Sequence, residues 1–449
     1  MAANEEENTD SSVEPYEEDP LIYSLRQSEG SEDMLTTLDL ADSCFAPDFD
    51  QFDRLIRAIR GNTTISTVEI DGNALVCFTL EEVTQLVEAI GSVPELKSLF
   101  VRALVAPLNV LTVLIREASG LQKITLASVQ LAGESTEFNQ ALSNLHFLQE
   151  VRFCNMGFRR NFSFDEMVRA LAGLPVLEKI EIEVEQGASV TSEAMGKLCD
   201  VTTLNELRMS PIDFSVQHIQ AMASALETNT CTELLELGLG DGDHTSETWF
   251  AMANMLRVNS ALTSLTMISF DGLDDDACIA LANALEYNTC LQEFSLSRCG
   301  LDRVMSTKAA LVLVKLLRSN HCLTEYSMNS IGIGEEGLIA VAKALEQNST
   351  LKKLNLQKFD ADVTAKGGLQ ALLDMLQTNV VLEHIHPSST IDEVRLKVNF
   401  WLSLNESGLR CIELNSNTSI EEFLGLLASC QDELDKLYYL LITNPQAVV

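Results

Sequence analysis

The chain is poor in bases. Its 449 residues carry 30 Lys and Arg against 66 Asp and Glu, a formal net charge of −36. Nucleic acid and anionic membrane recruit proteins through basic patches that offset phosphate charge, so both are poor partners for this sequence. No run of about 18 apolar residues occurs, which leaves no candidate for a membrane span. Eleven cysteines in so long a chain fall well below the density of a disulfide-stapled secreted domain. Residues 1–20 hold eight acids and no base, the reverse of a signal or transit peptide. An intracellular, cytoplasmic protein with free thiols is the expectation. No P-loop, Gly-x-Ser-x-Gly elbow or Cys-x-x-Cys pair is present, and six scattered histidines outline no triad. The reading is therefore non-enzymatic, with no catalytic residue, cofactor or metal.

What the chain does have is an internal period. Asn229, Asn259, Asn288, Asn320, Asn348 and Asn379 are spaced 30, 29, 32, 28 and 31 residues apart, and Asn62 carries the same surroundings. The clearest copy, ALEQNSTLKKLNL at 344–356, places Ala344 and Leu345 before the Asn and Leu351, Leu354 and Leu356 after it. Between 62 and 229 the apolar frame persists while the Asn is replaced by Val93, Ala118, Leu145, Leu174 and Val201. With Leu35, Leu38 and Leu40 ahead of them, these make 13 strand phrases. Apolar residues six and eight past each anchor alternate with polar ones, the period of a half-buried strand. Those eight, four and three before it form one stripe on a helix. The Asn is expected to end each helix in the left-handed conformation that it tolerates. Strand, loop and helix recurring in one direction predict parallel strands and a core that grows repeat by repeat.

The division expected is an acidic arm and cap over 1–34, a solenoid over 35–390 and a helical cap over 391–449. In the arm, residues 1–20 are too charged to order, while Leu21, Ile22, Tyr23 and Leu25 cover the first repeat. The cap reads as helices over 391–406 and 419–442.

The frame ALxxNxxLxxLxL at 28–29 residues resembles the ribonuclease-inhibitor-like class of leucine-rich repeat. The resemblance implies an α/β horseshoe with a parallel β-sheet on its concave face and helices on its convex face. One departure is visible. The family usually places Asn or Cys eleven past the anchor; here Asn73 and Cys299 comply, and Phe270, Phe359, Ile331, Leu104 and Val129 do not. The resemblance also extends to proteins that activate the Ran GTPase, which makes regulation of a small GTPase the alternative to a protein-binding scaffold.

Three local patterns invite chemistry and carry none. Gly332, Gly334 and Gly337 spell a dinucleotide loop, but Glu335 and Glu336 occupy the helix start where a pyrophosphate would sit. Asp271, Asp274, Asp275 and Asp276 lack the alternation and distal Glu of a calcium loop and suit a helix N-terminus; Asp241, Gly242, Asp243 and His244 read alike. His384 and His386 share a face, but two ligands are too few for zinc.

The informative surface is the concave face. Residues seven and nine past each anchor are charged in the first half and small and uncharged in the second. Interfaces favour Arg and aromatic anchors, so Phe100, Arg102, Arg152, Glu181, Glu183 and Arg208 form the expected contact patch for a protein partner, possibly basic.

Overall fold

The computed structural model describes residues 20–27, 36–40, 49–76, 78–158, 162–184, 189–239, 245–269, 273–297, 307–328, 335–355, 366–385 and 392–407. Thirteen parallel strands follow one another in chain order across one open sheet, from Thr37–Leu40 to His384–Ile385, and helices alternate with them. The expected α/β solenoid is the structure.

Periodicity explains each element. In the strand Lys123–Ala127 the alternate residues Ile124 and Leu126 are fully buried. In the helix Ser246–Val258, Trp249, Met252, Ala253 and Leu256 bury one stripe at helical spacing. The two apolar sets meet in a core that runs continuously along the chain. Helix starts are capped as their sequences suggest. Thr79 and Glu82 close a capping box, and Asp274 accepts the Ala277 N–H at 2.8 Å, so the acidic run there is a helix N-terminus. Gly332, Gly334, the 241–244 loop, Asp271 and His386 lie outside the described residues.

The anchor asparagines depart from expectation. Asn259 and Asn288 have φ of −64° and −73° with ψ of 133° and 129°, extended rather than left-handed. Their work is done by the side chain. Asn288 Oδ1 accepts the N–H groups of Cys290 and Leu291 at 3.0 and 2.7 Å, while its Nδ2 donates to Leu256 O and Asn259 O at 2.7 and 3.4 Å. One amide thus shapes its own turn and ties it to the repeat before. Asn229, Asn259, Asn320, Asn348 and Asn379 repeat the bond to the preceding helix end at 2.7–2.8 Å. All are buried, where an unpaired backbone group would be costly. A ladder of bonded asparagine side chains is therefore present at the anchors. At the expected ladder position, Leu104 and Val129 are buried apolar residues, as the departure implied.

Left-handed residues do occur, at a different place. Ala103, Ser128, Asn155 and Ser269 all lie ten past an anchor and have φ of 52–63°. Ala103, Ser128 and Ser269 donate their N–H to the next strand's carbonyl at 2.7–2.9 Å, as Gly72 does to Arg102 O. A Cβ on Gly72 would lie 2.4 Å from Ala103 O, so glycine is required there. Beyond three of these bends the chain forms a second small parallel ribbon, Val105–Pro107 with Gln130–Ala132 and Gly157–Phe158.

One helix packs against the helix of the first described repeat and another against that of the last. The helix Pro20–Gln27 buries Ile22 and Leu25. At the other end the helix Asp392–Glu406 buries Val398 and Leu404, and Asn405 Nδ2 donates to Leu382 O and Asn379 O at 2.8 and 3.1 Å. That helix docks with the chemistry the repeats use among themselves. The region of the second expected helix, 419–442, lies outside the described residues.

Candidate protein-binding face

Strand register turns the expected rows into observed ones. Glu69, Phe100, Thr125, Arg152, Glu181, Arg208, Glu236, Thr266, Ser295, Ser327 and Asn355 pair in sequence across eleven strands. Asp71, Arg102, Ala127 and Cys154 make a second row, and Glu183 pairs with Ser210 on the far side of an irregularity between Phe153 and Met156.

The six expected contact residues lie on four of five consecutive strands, a width of about 20 Å at the usual strand spacing. Phe100 is half-buried and Arg102 exposed; both are separated from Arg152 by the strand carrying Thr125 and Ala127. Arg152 Nε lies 3.7 Å from Glu181, which pairs in register with Arg208. The structure therefore brings Arg152, Glu181, Glu183 and Arg208 together and sets Phe100 and Arg102 one strand away.

A third row, five past each anchor, was missed by counting only seven and nine. It contains Lys123, Glu150, Lys179 and Glu206, aligned on neighbouring strands. The same two-residue alternation would have reached it, had the strand start been placed two residues earlier. This row also corrects the expectation of an uncharged second half, since Glu293, Glu325 and Lys353 sit on it there.

Among the described residues, every base in these rows of the charged half is engaged. Lys123 Nζ and Arg152 Nε flank Glu150 at 3.0 and 2.5 Å, and Lys179 meets Glu206 at 2.6 Å. Arg208 meets Glu236 at 2.5 Å and Arg102 meets Asp71 at 2.8 Å. Burial works against the charged form of Glu150, but the bonds from Lys123 and Arg152 outweigh it and hold its carboxyl below the usual range. The Asn73 N–H, and then Arg102, do the same for Asp71. The Glu206 bond raises Lys179. From Thr67 to Glu236 the three rows hold seven acids, Glu69, Asp71, Glu150, Glu181, Glu183, Glu206 and Glu236, against five bases, Arg102, Lys123, Arg152, Lys179 and Arg208. The surplus is felt locally. Burial pushes the Cys154 thiol up, and the charges of Glu181 and Glu183 push it further.

Among the described residues no group of three or more His, Cys, Asp or Glu is placed to hold a metal, and no helix is long and apolar enough to cross a membrane. His384 lies 3.9 Å from Glu406 rather than in a ligand cluster.

A scan against protein-family models finds no match. A mouse (Mus musculus) protein, ribonuclease inhibitor, is 26% identical over 261 residues, 53% of this chain and 55% of that protein. The chain thus matches just over half the length of this curated relative. With strand order, register and repeat frame on the page, the class is decided. The chain is a leucine-rich repeat solenoid similar to ribonuclease inhibitor. Among solved structures, the repeat chain is similar to the leiomodin-1 actin-binding site 2 (21% identity, 35% of this chain and 86% of that one, TM-score 0.27). A tropomodulin C-terminal domain from Caenorhabditis elegans gives 16%, 37%, 97% and 0.32 for the same quantities. The yeast Rad7 and Elc1 complex gives 15%, 74%, 72% and 0.39.

Proposed function

We propose that the protein is a non-enzymatic scaffold whose charged half of the sheet face, between Thr67 and Glu236, binds a basic protein. The observation that carries the reading is the charge balance of that face. Among the described residues each of its bases is held by a neighbouring acid, while Glu69 and Glu183 have no ion pair, so the net field offered to a partner is negative. Complementary charge steers encounter and fixes orientation. Extended sheet faces are the surfaces solenoids use for binding, and the mouse relative is by its name an inhibitor of another protein. Phe100, Arg102, Arg152, Glu181, Glu183 and Arg208 are the contact residues of this reading. Action on a small GTPase rests on the resemblance alone, and unchanged GTP hydrolysis at micromolar protein removes it.

The test is capture from cell lysate with the full chain, comparing wild type with Glu181→Lys combined with Glu183→Lys. Partner capture is expected to fall at least tenfold while the thermal midpoint holds. Equal capture by the double variant and the wild type contradicts the reading.

A further inference from the structure

We propose that Cys290 and Cys322 are a modification site, a pair of thiols that closes into a cross-link between adjacent repeats when the protein meets a small disulfide oxidant such as glutathione disulfide. Both occupy the second position past the anchor, in the turn between helix and strand. Neighbouring bonds fix their alignment from both sides. Two residues earlier, Asn320 Nδ2 donates to Asn288 O at 3.3 Å; two residues later, the Thr324 N–H donates to Gln292 O at 2.8 Å. The strands that follow continue the register at Glu293 and Glu325. Equivalent residues on such neighbouring segments lie about 5 Å apart, within the Cα separation that disulfides span, and their Cβ vectors run alike.

The side chains themselves are close. Cys322 Sγ contacts Thr289 O at 3.0 Å, the carbonyl of the peptide bond that leads into Cys290. Cys290 Sγ contacts Asn259 O and Asn288 Oδ1, both at 3.4 Å. Each thiol rests on a weak bond that a rotamer change gives up at little cost. Both are half-buried, so a small oxidant reaches them. The chemistry is thiol exchange. One thiolate attacks a sulfur of the oxidant and expels one thiolate; the second cysteine then attacks the mixed disulfide and expels the other. Two thiols lose two protons and two electrons, and one oxidant molecule is reduced to two thiols.

The repeat supplies its own control. Cys231 holds the same position two past Asn229, but its equivalents in the flanking repeats are Thr203 and Ala261. It has the same turn and no thiol opposite. The experiment is native oxidation of the full chain with glutathione disulfide, followed by quenching and non-reducing peptide mass spectrometry. A cross-linked Cys290–Cys322 peptide lighter by two hydrogens is expected, with Cys231 carrying glutathione. Cys322→Ser should leave Cys290 as a stable mixed disulfide. The oxidised wild type should also show a higher thermal midpoint that dithiothreitol reverses and that Cys322→Ser lacks. Separate adducts on Cys290 and Cys322, two unreacted thiols, or cross-linking of Cys231 as readily as of Cys290 overturns the proposal.

Discussion

The two halves of the solenoid solve one problem differently. From Asn229 onward, each turn is tied to its predecessor by a buried amide that makes up to four hydrogen bonds, as at Asn288. Between Val93 and Leu174 the anchors are buried apolar residues, and polar ties appear elsewhere, in the ion pairs of the sheet face and the side ribbon at 105–107, 130–132 and 157–158. Past Glu236 the sheet face carries fewer charges, among them Glu293, Glu325 and Lys353. In the first half, moving the polar work onto the face produces a patterned surface, and that is the half where a partner is proposed.

The first way to break the comparison is through what the halves share. Ile124 and Leu354, each six past its anchor, occupy the same buried strand position. Ile124→Arg and Leu354→Arg should each cost about 5 kcal/mol in urea unfolding, since lost burial adds to an unpaired buried charge. Unequal losses would mean that the halves do not share one cooperative core.

Next comes the ladder itself. Asn288→Ala strands the Cys290 and Leu291 N–H groups and the Leu256 carbonyl, so about 3 kcal/mol should be lost in the same assay. A loss under about 1 kcal/mol would demote the amides to ornaments of the turn.

Smaller effects are expected on the face. Arg208→Ala breaks a pair whose side chains are 40% and 30% exposed, so no more than about 1 kcal/mol should be lost. A larger loss would make the ion pairs structural and weaken the case for a binding surface. Smallest is a pH effect at Glu150. Its carboxyl is held below the ordinary 4.5, so its stabilisation is complete above that pH and fades as pH falls through the lower folded value. Glu150→Gln should flatten the acid limb of the stability curve below about pH 4.5. An unchanged limb would show that Lys123 and Arg152 do not hold it.

Much of this was legible in the residues. The period gave thirteen strands, and counting from the anchors gave one row that register carries across eleven strands and a second that irregularities interrupt. The anchors' special status was visible, but their role was not. A left-handed Asn is the local solution to a helix end, whereas the ladder depends on a carbonyl some 30 residues away that comes within reach only after the repeats stack. The row of Lys123, Glu150, Lys179 and Glu206 was hidden because strand starts are set by pairing, not by composition. The ribbon was hidden because it follows left-handed Ala103, Ser128 and Asn155, and of these three only the Asn is a type that favours that conformation.

The most direct measurement is hydrogen exchange of the full chain, alone and bound to the protein captured by the wild type. Protection should concentrate on the strands Ser98–Arg102, Glu150–Phe158, Lys179–Val184 and Glu206–Ile212 and leave Glu293–Ser297 and Glu325–Met328 unchanged. Protection confined to the latter pair, or to the helices, would contradict the claim that the charged half of the sheet face is the binding surface.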